Sequence, residues 1–369
     1  MNNVVKPPVE NIFDVIQGGS YTETLYNIQE ISKGNESLRD ILLLGFYQNP
    51  KKDIHHQVNA VYGEIINEGK KKNWLCGHEH CEKPSAYSHE LSEKSVLIHL
   101  ADCDNKAFVL KRDLKNNSFF FSFCNKHIRD ITNFPGYCSE HDQKLFHFLD
   151  QPSSEINLEY VNLQALKMLK YRLFSLEKDL RLTKGIILQL SSIVTNHTDD
   201  EVYIEAIRIK LNDMQEKSMI IADTIEKSEI FYGKLLSGIR TKEFVIEYDE
   251  IPCEKKGWVF SQSYDGDADG CSERIFSFIF KVDTNSRPVL IHAWNKSAFQ
   301  DDQDKYLITQ DEIIKFILLS KEKLVFSAKF LTNLDDAYLQ FLLGDEEIFN
   351  YSESPIHRLL FKNILLSNN

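Results

Sequence analysis

Cys76-Gly-His-Glu-His-Cys81 and Cys138-Ser-Glu-His141-Asp142 are the two stretches of sequence that decide the fold, because each holds a closely spaced pair of soft metal ligands. Zinc is tetrahedral and borderline-soft, and structural zinc sites in proteins are built from two such pairs of Cys and His. Gly77 eases the tight turn that the first pair needs. The two pairs therefore predict one structural zinc ion bound by Cys76, Cys81, Cys138 and His141.

The same region offers other ligands. Cys124 and His127 form a third pair with ligand spacing, and His78 and His80 lie inside the first pair. Any of them can replace a predicted ligand, and Cys124 with His127 can belong to a second site. Buried cysteines that bind no metal are the simpler alternative, since free Cys is among the most buried residue types.

Composition limits the class of protein. The chain has 369 residues and a formal net charge of −12. It contains no signal-peptide pattern and no apolar run of the roughly twenty residues that a membrane span needs, so we expect no membrane segment. Five of the seven cysteines lie between Cys76 and Cys138, which is typical of metal binding and not of a disulfide framework. The composition therefore predicts a soluble, cytoplasmic protein of two or three domains.

The distribution of charge bears on nucleic-acid binding. An acidic protein is not coated for phosphate contact, which depends on Lys and Arg. Residues 71–150, however, carry equal numbers of acidic and basic side chains, whereas the C-terminal third is acidic. The distribution of charge thus argues least strongly against nucleic-acid contact at residues 71–150.

Hydrophobic periodicity divides the chain into four parts and predicts an α+β protein. Residues 1–70 read as a helical lead-in, and residues 71–150 form the zinc-binding module, of treble-clef or ββα type. Residues 151–241 carry apolar side chains three and four apart, which predicts a long antiparallel helical hairpin. Residues 242–369 contain short β-rich runs and two helical segments, which predict a small antiparallel sheet covered on one face by helices. A two-helix hairpin leaves part of its circumference open, so we expect a homo-oligomer or a partner protein there.

The zinc-binding region resembles the zinc-stapled form of the His-Me finger, or HNH, nucleases, in which a strand with a general-base His follows the first knuckle and an Asn precedes the second. Ser88-His89 stands at the position of that strand, Asn133 lies before Cys138, and Asp142 follows His141 where the family has its last metal ligand. This sequence departs from the family in three respects. Four residues separate Cys76 from Cys81 instead of two, an insertion separates His89 from Asn133, and the last ligand is Asp instead of His.

The resemblance implies hydrolysis of phosphodiester bonds. His89 would accept a proton from water, Asn133 would orient His89, and Mg²⁺ near Asp142 would stabilise the leaving oxygen, with zinc structural. The wider pattern, Ser88-His89 followed by Gly-Tyr-Cys138-x-x-His141-Asp142, is similar to uncharacterised bacterial proteins and carries no established activity. The nuclease resemblance suggests a role in bacterial defence or on a mobile element. Each residue also has a structural alternative: His89 as a zinc ligand or turn residue, Asn133 as a loop residue, and Asp142 as a helix cap. A non-catalytic zinc scaffold or partner-binding module is the competing functional hypothesis.

Overall fold

A computed structural model describes residues 74–115, 118–151, 155–196, 201–266, 275–283, 287–298, 310–343, 359 and 362–366. The helical lead-in predicted for residues 1–70 lies outside these ranges. The strands are β1 (Ala86–His89), β2 (Lys106–Lys115), β3 (Ser118–His127), β4 (Asn133–Tyr137), β5 (Ile246–Ile251), β6 (Trp258–Gly266), β7 (Ile275–Asp283), β8 (Pro288–Asn295) and β9 (Val325–Phe326). The α-helices are α1 (Ser139–Phe146), α2 (Leu158–Asn196), α3 (Glu201–Thr241), α4 (Gln310–Leu319), α5 (Ala328–Thr332) and α6 (Asp336–Leu343).

The described residues divide into two compact units, one of residues 175–196 and 201–225 and the other of the described residues within 74–174 and 226–366. The long helices α2 and α3 confirm the predicted helical hairpin. Within the second unit, Lys242 at the end of α3 forms an ion pair with Glu159 in the first turn of α2, so the two helices run antiparallel there. No helix in the described part of the chain is long and apolar enough to cross a membrane.

A seven-stranded antiparallel sheet, ordered β3-β2-β9-β6-β7-β8-β5, is the centre of the second unit. The four β-rich runs after residue 242 form β5 to β8, as predicted. The sheet is larger than expected because β2 and β3, which lie between His89 and Asn133, join it. The two residues of β9 make the connection: Phe326 pairs with Phe108 on one side and with Trp258 on the other.

Both faces of the sheet are covered, and β7 and β8 are buried along their whole length. Side chains of a strand alternate between the two faces, so neighbouring residues enter different cores. Phe278 packs in a core with Leu166 of α2 and Leu235 of α3. Ile279, the next residue, packs in a second core that contains residues of α4, including Ile314. The second unit therefore has a helical hairpin on one face of the sheet and shorter helices on the other.

A separate two-stranded antiparallel ladder carries the predicted site residues. Strand β1 pairs with β4, with His89 opposite Asn133 and Tyr87 opposite Pro135. Helix α1 begins two residues after β4 ends, which completes a ββα arrangement. The β2–β3 hairpin is thus an insertion between the two strands of this small ladder.

Candidate metal centre

Cys76, Cys81, Cys138 and His141 form a cluster whose ligand atoms all lie within 4.8 Å of one another. His141 Nδ1 is 3.4 Å from Cys76 Sγ and 3.3 Å from Cys138 Sγ. Zinc bonds of about 2.3 Å to sulfur and about 2.0 Å to nitrogen place tetrahedral ligand atoms roughly 3.5–3.8 Å apart. The four residues therefore have the type, number and spacing of donors that can hold one metal ion.

Backbone hydrogen bonds shape the first knuckle. The Cys76 N–H donates to Lys83 O at 3.0 Å, and the Cys81 N–H donates to His78 O at 3.2 Å, so the chain between the two cysteines closes on itself. Gly77 is closely packed: a Cβ atom at this position would lie 2.7 Å from Cε of Lys170, a flexible side chain that can shift, and 3.2 Å from the Gly136 carbonyl oxygen.

The second pair of ligands lies at the junction of β4 and α1. Cys138 has extended backbone angles and precedes the helix, and the Asp142 N–H donates to Cys138 O at 2.9 Å. His141 falls in the first helical turn, which brings its ring back over the Cys138 thiol. The Gly77 N–H donates to Gly136 O at 2.9 Å and so joins the two knuckles.

The electrostatic environment of the ligands differs from one to the next. Burial raises the pKa of the Cys76 thiol to about 11. Burial acts in the same direction on Cys138, but hydrogen bonds from backbone N–H groups and from the Cys76 and Cys81 thiols outweigh it and lower the pKa of Cys138. Burial, followed by the neighbouring His78, lowers the pKa of His141, which favours the neutral imidazole that binds metal. Metal uptake must therefore release thiol protons, and affinity will fall as the pH is lowered.

The alternative ligands lie outside this cluster. The His78 ring stacks on the His141 ring, with centroids 3.9 Å apart, and its Nδ1 lies 3.0 Å from Glu79 O. Cys124 and His127 are three residues apart on β3, and His127 Nδ1 accepts a hydrogen bond from the Arg129 N–H. Within the described ranges no other group of three or more His, Cys, Asp or Glu side chains converges in this way.

His89 and Asn133 are brought together at the end of the β1–β4 ladder. His89 Nε2 donates to the Arg129 carbonyl at 3.1 Å, and Asn133 Nδ2 donates to the same oxygen at 2.8 Å. A carbonyl only accepts, so this contact places the proton of a neutral His89 on Nε2 and leaves Nδ1 as the basic nitrogen. Glu93 lies nearby, with Oε2 3.9 Å from His89 Nε2.

Asp142 has a different neighbour. Its Oδ1 lies 3.9 Å from Nζ of Lys167, a buried residue of α2, and that ammonium also lies 4.6 Å from the centre of the Phe146 ring. Burial lowers the pKa of Lys167, and the carboxylates of Asp142 and Asp150 oppose this shift. The carboxylate of Asp142 thus lies near the Lys167 ammonium, although its buried Oδ1 makes no hydrogen bond with the described residues, and Asp142 and His89 do not share a ligand cluster there.

Two residues that shape this region were not predicted. Arg129 acts through a backbone carbonyl, which any residue type supplies. Lys167 is a single charged residue inside a segment, 160–169, that is otherwise uncharged and is buried throughout. A lysine in such a segment is a signal that a carboxylate lies close by, because burying an unpaired ammonium is costly.

Comparison of the chain with protein-family models, with curated proteins and with solved structures found no match.

Proposed function

We propose that Cys76, Cys81, Cys138 and His141 bind one zinc ion and that this ion is structural. The donor set supports this assignment, because three thiolates and one imidazole suit zinc better than magnesium or calcium. Four protein ligands also fill a tetrahedral site, whereas catalytic zinc sites keep one position open for water.

We further propose that the protein is a zinc-stapled binding module and not an enzyme that acts through this centre. The closed set of four ligands argues against catalysis by the zinc ion itself, and the surroundings of Asp142 are the observation that argues against a second, catalytic metal. A Mg²⁺ ion at Asp142 would have to compete with the buried ammonium of Lys167.

The binding surface that we propose is on the helical hairpin. Leu188 of α2 and Met219 and Ile220 of α3 are exposed although they are large and apolar. We place the association surface at these side chains because a two-helix hairpin leaves part of its circumference open. We propose that a second copy of the chain covers this surface, which gives a homodimer.

The dimer proposal predicts the effect of charge in this surface. Met219→Asp should convert a dimer at micromolar concentration into a monomer, because a buried unpaired carboxylate opposes association. Sedimentation velocity measures the change. Asn125→Asp adds the same charge to an exposed position of β3, outside the hairpin, and should leave the dimer intact. A monomeric wild-type protein would contradict the proposal.

Hydrolysis of phosphodiester bonds is the second candidate, and one observation favours it. The contact of His89 with the Arg129 carbonyl fixes the tautomer that a general base needs, and Asn133 holds the same carbonyl. In this alternative His89 accepts a proton from water, Asn133 is a positioning residue, and Mg²⁺ binds near Asp142 after displacing Lys167. Nucleic acid would then contact residues 71–150.

One set of measurements separates the two functions. The binding-module proposal predicts that the zinc-loaded protein leaves plasmid DNA and RNA intact in the presence of Mg²⁺ or Mn²⁺. Cleavage that falls by about a hundredfold or more in His89→Ala, with zinc content and melting temperature preserved, would overturn it in favour of hydrolysis. His147→Ala removes an exposed histidine outside the ladder and serves as the matched control. If His89 were instead a zinc ligand, its removal would lower metal content.

A further inference from the structure

A cavity of about 980 Å³ lies in the second unit, and none of the four residues of the cysteine cluster lines it. Its wall is formed by the end of the short 3-10 helix Leu97–His99, the loop before β6, the end of β7, and the helices α5 and α6. The volume is at the upper end of the range of small-molecule sites. Part of the wall is apolar, with Leu100, Phe330 and Leu334 among its residues.

One wall of the cavity is held by a buried ion pair. Asp283 accepts a hydrogen bond from the Gly257 N–H at 2.6 Å and one from the Lys281 ammonium. Lys281 is fully buried beside the ring of Trp258. Gly257 has a φ of 92°, and a Cβ atom there would lie 2.9 Å from Phe330 Cβ. The negative charge of Asp283 is therefore neutralised inside the protein. Residue 257, whose N–H donates to Asp283, has a backbone conformation and close packing that favour glycine.

The polar groups of the wall differ in whether they have partners: Lys255 donates to the Asn363 carbonyl and Ser327 accepts the Phe330 N–H, whereas five other side chains have no partner among the described residues. The side chains of His99, Lys256, Lys329, Asn333 and Tyr338 line the cavity and make no side-chain hydrogen bond or ion pair with the described residues. The carboxylate of Asp102, in contrast, already accepts N–H groups of Asp104 and Lys106.

The balance of charge in the wall favours an anion. Lys281 offsets Asp283, which leaves Lys255, Lys256 and Lys329 against the carboxylates of Asp102 and Asp335. Burial lowers the pKa of Lys281, and the nearby charge of Lys256 contributes in the same direction. An anion beside Lys256 would relieve this repulsion, since opposite charges stabilise one another most where water is partly excluded.

We propose that this cavity binds a nucleoside phosphate. The ammonium groups of Lys256 and Lys329 supply donors for the phosphate oxygens, and lysine is a common phosphate ligand. The rings of Tyr338 and Phe330, together with Leu334, supply the apolar surface that a flat base needs. This site is independent of the metal centre and of the proposed dimer surface.

Isothermal titration of the full zinc-loaded chain with ADP, adenosine and pyrophosphate tests the proposal. We expect saturable binding of ADP that is tighter than that of either adenosine or pyrophosphate. The double variant Lys256→Glu/Lys329→Glu should weaken ADP binding by at least about tenfold, because two attractive charges become repulsive. Tyr338→Ala should weaken ADP and adenosine but leave pyrophosphate unchanged.

Lys126→Glu is the control, since Lys126 is exposed on β3 and is not part of the cavity wall. Circular dichroism of each variant checks that the fold is retained. Absence of saturable ADP binding at millimolar concentration would overturn the proposal, and so would equal weakening by Lys126→Glu. If ADP binds no more tightly than pyrophosphate, the cavity recognises phosphate alone, and the assignment of a nucleoside is overturned.

Discussion

Cys138→Ser is expected to reduce the metal content from about one zinc ion per chain to nearly none and to unfold the region around the knuckles. Cys138 is both a proposed ligand and the residue that precedes α1, so its loss would disrupt the metal site at the start of that helix. Structural zinc binding contributes about 10–16 kcal/mol in isolated zinc-finger peptides, far more than an ordinary point substitution costs. Elemental analysis and thermal unfolding measure the two effects.

Cys103→Ser provides the matched control, because Cys103 is an exposed free cysteine outside the cluster. That variant should keep the metal content and melting temperature of the wild type. Retention of one zinc ion by Cys138→Ser would contradict the assigned ligand set and would direct attention to Cys124 and His127. Purified wild-type protein without zinc would contradict the centre altogether.

Loss of the metal should also destabilise the C-terminal part of α3. Tyr232 of that helix donates to the Gly77 carbonyl at 2.9 Å and lies 2.7 Å from the hydroxyl of Tyr137. Arg240 forms an ion pair with Glu79 at 2.5 Å. Both contacts reach the first knuckle, whose shape depends on Cys76 and Cys81. Chelation should therefore increase amide hydrogen exchange at residues 226–241 as well as in the knuckles.

Local patterns predicted the elements of this protein well, whereas their long-range pairing could not be predicted. Alternating or 3.6-residue periods depend on neighbours within a few positions, and they located the helical hairpin and strands β5 to β8. Strand β9 has two residues, too few to show a period, yet Val325 pairs with Val109 and with Val259. That contact, between residues far apart in sequence, decides that the β2–β3 hairpin enlarges the sheet.

The candidate site, like the fold, could be predicted where it depends on local spacing and not where it depends on long-range packing. The spacing of Cys and His predicted which four side chains form the cluster because each pair is local. The resemblance to the His-Me finger nucleases implied that Asn133 orients His89, and the two residues lie opposite each other in the β1–β4 ladder. Their shared partner is the carbonyl of Arg129, and a backbone atom has no signature in the sequence. The pairing of Asp142 with Lys167 depends on how α2 packs against α1, which no local pattern specifies.

Asp283→Ala is the second substitution from which we expect a large effect, a loss of about 3–5 kcal/mol in the free energy of unfolding. It leaves the Lys281 side chain buried without a carboxylate, so folding must either bury an unpaired charge or remove its proton, and it removes the acceptor of the Gly257 N–H. Chemical denaturation measures the loss. Asp249→Ala, in an exposed position of β5, should change stability by no more than about 0.5 kcal/mol and serves as the control.

The pH dependence of the free energy of unfolding distinguishes this prediction from a simple packing defect, whose cost would not change with pH. Burial already lowers the pKa of Lys281 below its ordinary value of 10.5, while Asp283 raises it. Without Asp283 that pKa falls further, so the folded variant holds a neutral amine whereas the unfolded chain holds an ammonium. The unfolded state then binds more protons, and the stability of the variant must rise with pH up to about 10.5.

The difference in stability between wild type and Asp283→Ala should therefore shrink as the pH is raised above neutrality. The double variant Lys281→Met/Asp283→Asn removes both charges and keeps an acceptor for the Gly257 N–H, so it should recover most of the lost stability. A loss in Asp283→Ala that is independent of pH and is not recovered in the double variant would mean that the carboxylate stabilises the fold through packing alone. The loss of the charge partner of Lys281 would then contribute nothing to the destabilisation of Asp283→Ala.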